Sequence, residues 1–270
     1  AKAIALDEVR ARALADGLAD ETITVRSVEE KPYRSSPKPP FMTSTLQQEG
    51  GNKLRLSSSQ VMRLAQGLYE RGFITYMRTD SPTLSNEAMQ ATRAAVTSEY
   101  GQQFLSPQPK QYSAKSSAAQ EAHEAIRPTT PYRSPQAVQA ELNGQELSLY
   151  RLIWQRTLAS QMADATGVTV SVRLGAVSTH ESTDCEFAAS GTTITFPGYR
   201  AVYVAADDEG DGTKEALLPQ LAQGAVVPVA SLTPEGHSTA PPSRYTEASL
   251  VKRLEELKIG RPSTWASIIQ

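Results

Sequence analysis

Two periods of apolar residues run along the chain, and the change between them falls at Thr166. Before that point the spacing is helical. Val61, Leu64, Ala65, Leu68 and Tyr69 fall on one stripe, with Ser58 placed to cap the helix and Gly72 to stop it. A second helix is predicted from Leu84-Ser85 to Gly101, and a short one from the N-cap pair Ser134-Pro135 to Leu142. Leu147, Tyr150, Ile153, Trp154 and Leu158 mark a longer helix ending near Asp164. After Thr166 the period is two: Val168, Val170 and Val172 alternate with polar partners. Strands are predicted at 166–175, 185–190, 192–196, 199–205 and 225–232.

The N-terminal stretch repeats this contrast on a smaller scale. Residues 2–16 predict an Ala-rich helix and 22–31 a strand, followed by Pro32 to Pro40, a linker with four prolines. That strand is expected to join the later sheet, which makes the helical region an insertion. The expected domains are therefore 1–36 and 166–235 as two parts of one β-rich domain, with 37–165 as a helical insert. Residues 236–270 begin another helical domain. Thr246 caps a helix with Leu250, Val251, Leu254 and Leu257 on one face, and Gly260 ends it. Pro262-Ser263 opens the next helix, giving a helix-turn-helix outline cut off at Gln270.

Composition narrows the class without deciding it. The chain has 270 residues, 39% hydrophobic and 21% charged, with no apolar run long enough to span a membrane and no signal-peptide pattern. The single cysteine, Cys185, excludes an internal disulfide and a zinc ribbon within the chain, and fits a cytoplasmic setting. Net charge is −2, but the charge is unevenly spread. Residues 31–133 hold 13 Lys/Arg against 7 Asp/Glu, 181–235 hold 2 against 9, and 236–270 hold 5 against 3. Cations gather where the candidate chemistry lies, as a phosphate-binding face requires.

That chemistry centres on Gly72-Phe-Ile-Thr-Tyr76-Met-Arg78-Thr-Asp80-Ser81-Pro82. In an extended segment Tyr76 and Arg78 project to the same side. A guanidinium there can hold the non-bridging oxygens of a phosphodiester while the phenol attacks phosphorus. The plainer alternative is a buried tyrosine beside an Arg78–Asp80 surface ion pair. Elsewhere, Val202 to Asp211 runs an apolar stretch into Asp207, Asp208, Glu209 and Asp211, which reads as an acidic turn in solvent. His180 and His237 read as surface residues. Nothing resembles a P-loop or a dinucleotide fingerprint, so no nucleotide is indicated.

The string Ile74-Thr-Tyr76-Met-Arg78-Thr-Asp80-Ser81 resembles the active-site tyrosine motif of bacterial type IA DNA topoisomerases, and three further stretches follow in the family's order. Pro40-Phe-Met-Thr-Ser-Thr-Leu-Gln-Gln48 resembles the opening of the tyrosine-bearing domain. Glu121-Ala-His123-Glu124-Ala-Ile-Arg127-Pro128 resembles the histidine motif. Pro241 to Leu250 and Ile259-Gly-Arg261-Pro-Ser263-Thr264 resemble the last block, with Trp265 standing where the family usually has Tyr. The resemblance implies a fold of several α and β domains, in which a β-rich arch carries an inserted helical tyrosine domain and a second helical domain begins at the end. It implies Tyr76, Arg78 and His123 as catalytic residues and Arg127, Arg244, Arg261 and Ser263 as DNA-binding residues. It also implies single-stranded regions of negatively supercoiled DNA as substrate, a 5′-phosphotyrosyl intermediate and no ATP. The family's Mg²⁺ is held by Asp-x-Asp-x-Glu in a separate domain; the motif is absent from this chain, so no metal ligand is assigned within it. A competing reading is a non-catalytic helix-turn-helix DNA-binding module.

Overall fold

A computed structural model describes residues 6–113, 124–204 and 218–269. The chain divides into two compact units, each assembled from separated stretches. The first comprises 1–33, 167–195 and 213–243, and the second 34–166, 196–212 and 244–270. No helix among the described residues is long and apolar enough to cross a membrane.

The first unit is built on three strands, β1 (Thr24–Ser35), β2 (Ala165–Val177) and β3 (Asp184–Phe196), in the order β1-β2-β3. The strand expected at 22–31 thus pairs with the strand expected at 166–175. The two strands expected at 185–190 and 192–196 form one continuous strand through Gly191. Helix α1 (Glu8–Asp16), capped by Asp7, precedes β1. Its core is small: Leu18, Ile23 and Ala176, flanked by Leu174, Cys185 and Leu232. The strand expected at 225–232 reduces to one bridge, Val226 with Thr24, and two hydrogen bonds linking Val25 to Ala225 and Val227 to Ile23. Pro228 has no N–H to continue the ladder.

The second unit is helical. It contains α2 (Thr43–Leu54), α3 (Ser58–Glu70), α4 (Asn86–Tyr100), α5 (Pro135–Val138), α6 (Gly144–Ser160), α7 (Glu247–Glu256) and α8 (Trp265–Ile269). Most starts are written in the sequence. Ser57, with Gln60, closes a capping box one residue before the expected Ser58; Ser85, Ser134, Asn143 and Thr246 cap α4 to α7. Helix α6 is the centre. Between Leu149 and Ser160 only Arg151 and Gln155 escape burial, which is why its apolar residues define no single face. Around it pack Phe41, Leu46, Val61, Leu68, Phe73, Ile74 and Ile126.

Of the strand expected at 199–205, Tyr199, Val202 and Tyr203 belong to this core instead. Gly198 takes the left-handed conformation (φ +51°), which a residue with a Cβ adopts at a cost, and a short 3₁₀ turn follows at Gly198–Ala201. Tyr199 and Tyr203 then point into the helical unit. The Tyr199 and Ser35 hydroxyls lie 2.8 Å apart, and the Tyr203 hydroxyl donates to Glu49 Oε2 at 2.7 Å. Arg156, buried on α6, donates from Nη1 to the Tyr203 hydroxyl (3.1 Å) and from Nε to the Pro39 carbonyl (2.6 Å). Its guanidinium lies over Phe41 at 4.9 Å and Tyr203 at 5.1 Å. This buried charge therefore anchors the chain just ahead of α2.

The C-terminal residues, which the sequence sets apart as 236–270, lie from Arg244 onward in the second unit. Ala248 of α7 meets Gly51 of α2, Glu247 Oε2 accepts from the Ser58 N–H (2.8 Å) at the start of α3, and Ser44 donates to Glu255 (2.7 Å). Trp265 is buried, and its indole N–H donates to the Ile259 carbonyl at 2.9 Å, closing the turn between α7 and α8.

Candidate active site

Gly72, at φ +76°, follows the end of α3, and 73–80 continues as an irregular segment with a single bridge at Ile74. Burial then alternates: Met77 and Thr79 are buried, while Tyr76 (42% exposed) and Arg78 face outward. Alternation is the expected property of an extended segment with one face on a core. It leaves both the phenol and the guanidinium exposed.

The strand is held from both flanks by stretches remote in sequence. On one side Ile74 bridges Pro128, the Thr75 N–H donates to the Arg127 carbonyl at 2.9 Å, and Thr129 donates to the Phe73 carbonyl at 3.1 Å. Thr75 adds its hydroxyl, donating to the Ala125 carbonyl (2.7 Å) and accepting from the Arg127 N–H (3.0 Å). On the other side the Thr43 N–H donates to the Thr79 carbonyl (2.9 Å). The Thr43 hydroxyl donates to the Met77 carbonyl (2.7 Å) and accepts from the Thr79 N–H (2.9 Å). Phe41 in turn bridges Ile126. Three of the four motif stretches are therefore stitched into one framework, and its fixed backbone displays Tyr76 and Arg78.

The expected site residues divide by what their side chains do. Arg78 is exposed and forms no ion pair among the described residues, so the Arg78–Asp80 surface pair is not formed. Arg127 is buried. Its Nε donates to Glu124 Oε2 at 2.7 Å and its Nη1 to the Pro128 carbonyl at 2.9 Å, which commits the guanidinium to the framework. Arg244, Arg261 and Ser263 are exposed, Arg261 in the turn between α7 and α8. His123 lies outside the described residues, as does the acidic run from Asp207 to Asp211.

Two contacts carry no sequence signal. Tyr69, counted with the apolar stripe of α3, is 42% exposed, and its ring meets that of Tyr76 edge to face, with centroids 5.2 Å apart at 68°. Glu255 sits half-buried against Ser44. Burial raises its carboxyl above the usual range, the Ser44 hydroxyl opposes that shift, and Glu256 and Asp80 add to it. Among the described residues no three of His, Cys, Asp and Glu gather as a metal-binding group.

The site thus presents an exposed phenol and an exposed arginine on a braced segment of the helical unit. Comparison with known proteins narrows this: the DNA topoisomerase family matches residues 2–270, and the chain belongs to that family. It is 54% identical over 275 aligned residues to DNA topoisomerase 1 of Mycobacterium tuberculosis, covering 99% of this chain and 29% of that protein. DNA topoisomerase 1 of Streptomyces coelicolor is 52% identical, over 100% of this chain and 28% of that protein. Among solved structures, full-length topoisomerase I from Thermotoga maritima superimposes with a TM-score of 0.81. It is 33% identical, over 99% of this chain and 42% of that one. The chain thus spans less than a third of the length of its mycobacterial and streptomycete relatives.

Proposed function

We propose that this segment supplies the nucleophile half of a type IA DNA strand-cleaving site. The Tyr76 oxygen attacks the phosphorus of a phosphodiester in single-stranded DNA. A bond forms to the 5′ phosphate, the phenolic proton is released, and the 3′ oxygen leaves and is protonated to a hydroxyl. The phosphotyrosyl bond retains the free energy of the broken one, so the 3′ hydroxyl reverses the step after strand passage without ATP, and negative supercoils are relaxed. Arg78 holds the non-bridging oxygens and stabilises the charge that develops on them. His123 assists at the phosphate. Arg244, Arg261 and Ser263 bind the DNA backbone, and Arg127 supports the framework from within.

The observation that carries this reading is the exposure of both Tyr76 and Arg78 on a braced segment in which Met77 and Thr79 are buried. Mg²⁺ is a cofactor of the intact enzyme, held by residues outside this chain. By itself the chain binds single-stranded DNA weakly and does not relax supercoiled DNA, because parts that act as one catalytic unit lose most of the rate when separated. The test uses a full-length topoisomerase I polypeptide containing this segment and a labelled single-stranded oligonucleotide, with covalent adduct trapped by denaturant. Tyr76→Phe abolishes the adduct, a loss on the order of 10⁴-fold or more. A helix-turn-helix binding module would keep every activity in that variant, and such a result overturns the proposal.

A further inference from the structure

A braced backbone fixes where the Tyr76 side chain begins, and leaves its χ1 and χ2 torsions to decide where the phenolic oxygen ends. Thr75, Met77 and Thr79 hold the main chain on either side of Tyr76 through the hydrogen bonds to Ala125, Arg127 and Thr43. The tyrosine is 42% exposed, so core packing alone does not select its rotamer. One ring that meets it is Tyr69, on the last turn of α3, seven residues earlier in the sequence. The two meet because Gly72 turns the chain back on itself. The contact is edge to face, 5.2 Å between centroids at 68°, within the geometry that aromatic quadrupoles favour.

Tyr69 has no need to be aromatic for the core. The buried face of α3 is Ser58, Val61, Ala65 and Leu68, and Tyr69 stands beside that face with 42% of its surface in solvent. We propose that Tyr69 is a positioning residue, whose ring holds the Tyr76 ring in the orientation from which its oxygen attacks the phosphodiester. The inference rests on the reading of Tyr76 as nucleophile. The ring of Tyr69 is the working part, since an edge-to-face pair requires no hydroxyl. Its effect falls on the covalent step and not on DNA affinity. A loosened phenol still lets the strand bind, but spends less time within reach of phosphorus.

The experiment measures three quantities in a full-length topoisomerase I polypeptide containing this segment: the single-turnover rate of adduct formation with saturating single-stranded oligonucleotide, the dissociation constant for that oligonucleotide, and the thermal midpoint. Tyr69→Ala is expected to slow adduct formation about tenfold, between the worth of one aromatic pair and the roughly 100-fold cost of an ångström of misplacement. Affinity and thermal midpoint stay unchanged, and Tyr69→Phe restores the rate. An unchanged rate in Tyr69→Ala overturns the proposal. So does a Tyr69→Phe variant as slow as Tyr69→Ala, or a loss confined to DNA affinity, which would make Tyr69 a stacking platform for a base. Tyr76→Phe, run in parallel, separates the two claims: adduct formation by that variant sinks the nucleophile reading itself, whereas its absence with normal Tyr69→Ala sinks the positioning role alone.

Discussion

The two units of this molecule spend their buried surface differently. The sheet unit packs a cluster of three buried apolar residues and leaves much of β3 in solvent. The helical unit packs a continuous core around α6, and every described candidate for chemistry lies in it. Tyr76 and Arg78 are themselves exposed, so the core does not bury them. It fixes the backbone from which they project. The contrast teaches that rigidity is concentrated under the site, whereas the sheet unit holds its shape mainly through strand pairing.

Core truncation tests this contrast most strongly. Leu158→Ala on α6 is expected to destabilise by about 2–5 kcal/mol, whereas Val177→Ala at the exposed end of β2 changes stability by less than about 0.5 kcal/mol. Chemical denaturation of both variants measures the difference; equal losses would erase it. Gly198→Ala comes next. Its Cβ would meet the Ala163 and Asp164 carbonyls in a backbone region that side chains rarely adopt, at a cost of about 1–3 kcal/mol. A variant as stable as the parent would show that Tyr199 and Tyr203 do not depend on that turn.

Alkaline pH should weaken the helical unit through its buried tyrosines. Burial pushes Tyr112 and Tyr150 up to about 12, and Tyr203 still further. Their folded values lie above the unfolded value of about 10, so the stability they contribute is complete below that pH and lost as pH rises toward 12 and beyond. Thermal midpoints measured from pH 8 to 11.5 should fall above pH 10. Tyr112→Phe should flatten that fall, although it also removes hydrogen bonds to the Pro37 and Ser160 carbonyls. The smallest effect concerns DNA. Arg78→Ala should lower the salt dependence of single-stranded DNA binding by about 0.7 in the log–log slope, while Arg173→Ala in the sheet unit leaves it unchanged. Titrations at several salt concentrations distinguish the two.

Local signals in the sequence marked the helices well, because Ser85, Ser134 and Thr246 act on hydrogen bonds within their own turn. The exposure of Tyr76 and Arg78 beside buried Met77 and Thr79 follows the alternation read from the sequence. Alternation alone does not name a partner, however. Tyr199 to Tyr203 carries a strand-like pattern, yet Gly198 diverts it, and Arg156 and Glu49, some 47 and 154 residues away, supply its contacts. The apolar spacing near 225–232 misled for another reason: Pro228 cannot extend the ladder that Val226 begins. The Ser44–Glu255 bond stayed hidden because it joins stretches 211 residues apart, and the Tyr69–Tyr76 contact because it depends on how the turn at Gly72 comes to rest.

The bracing of the tyrosine strand also bears on how the protein acquires its site. Thr75 bonds across 52 residues to Arg127, and Phe41 pairs with Ile126 across a still longer loop. Closing such loops costs entropy before the contacts return it, so these pairings form late relative to the helices. During synthesis the strand would leave the ribosome well before its flanking partner at 125–129. For that interval the segment carrying Tyr76 lacks its bonds to Ala125 and Arg127 and has only the Thr43 flank to hold it, so the bracing is completed when the later stretch arrives.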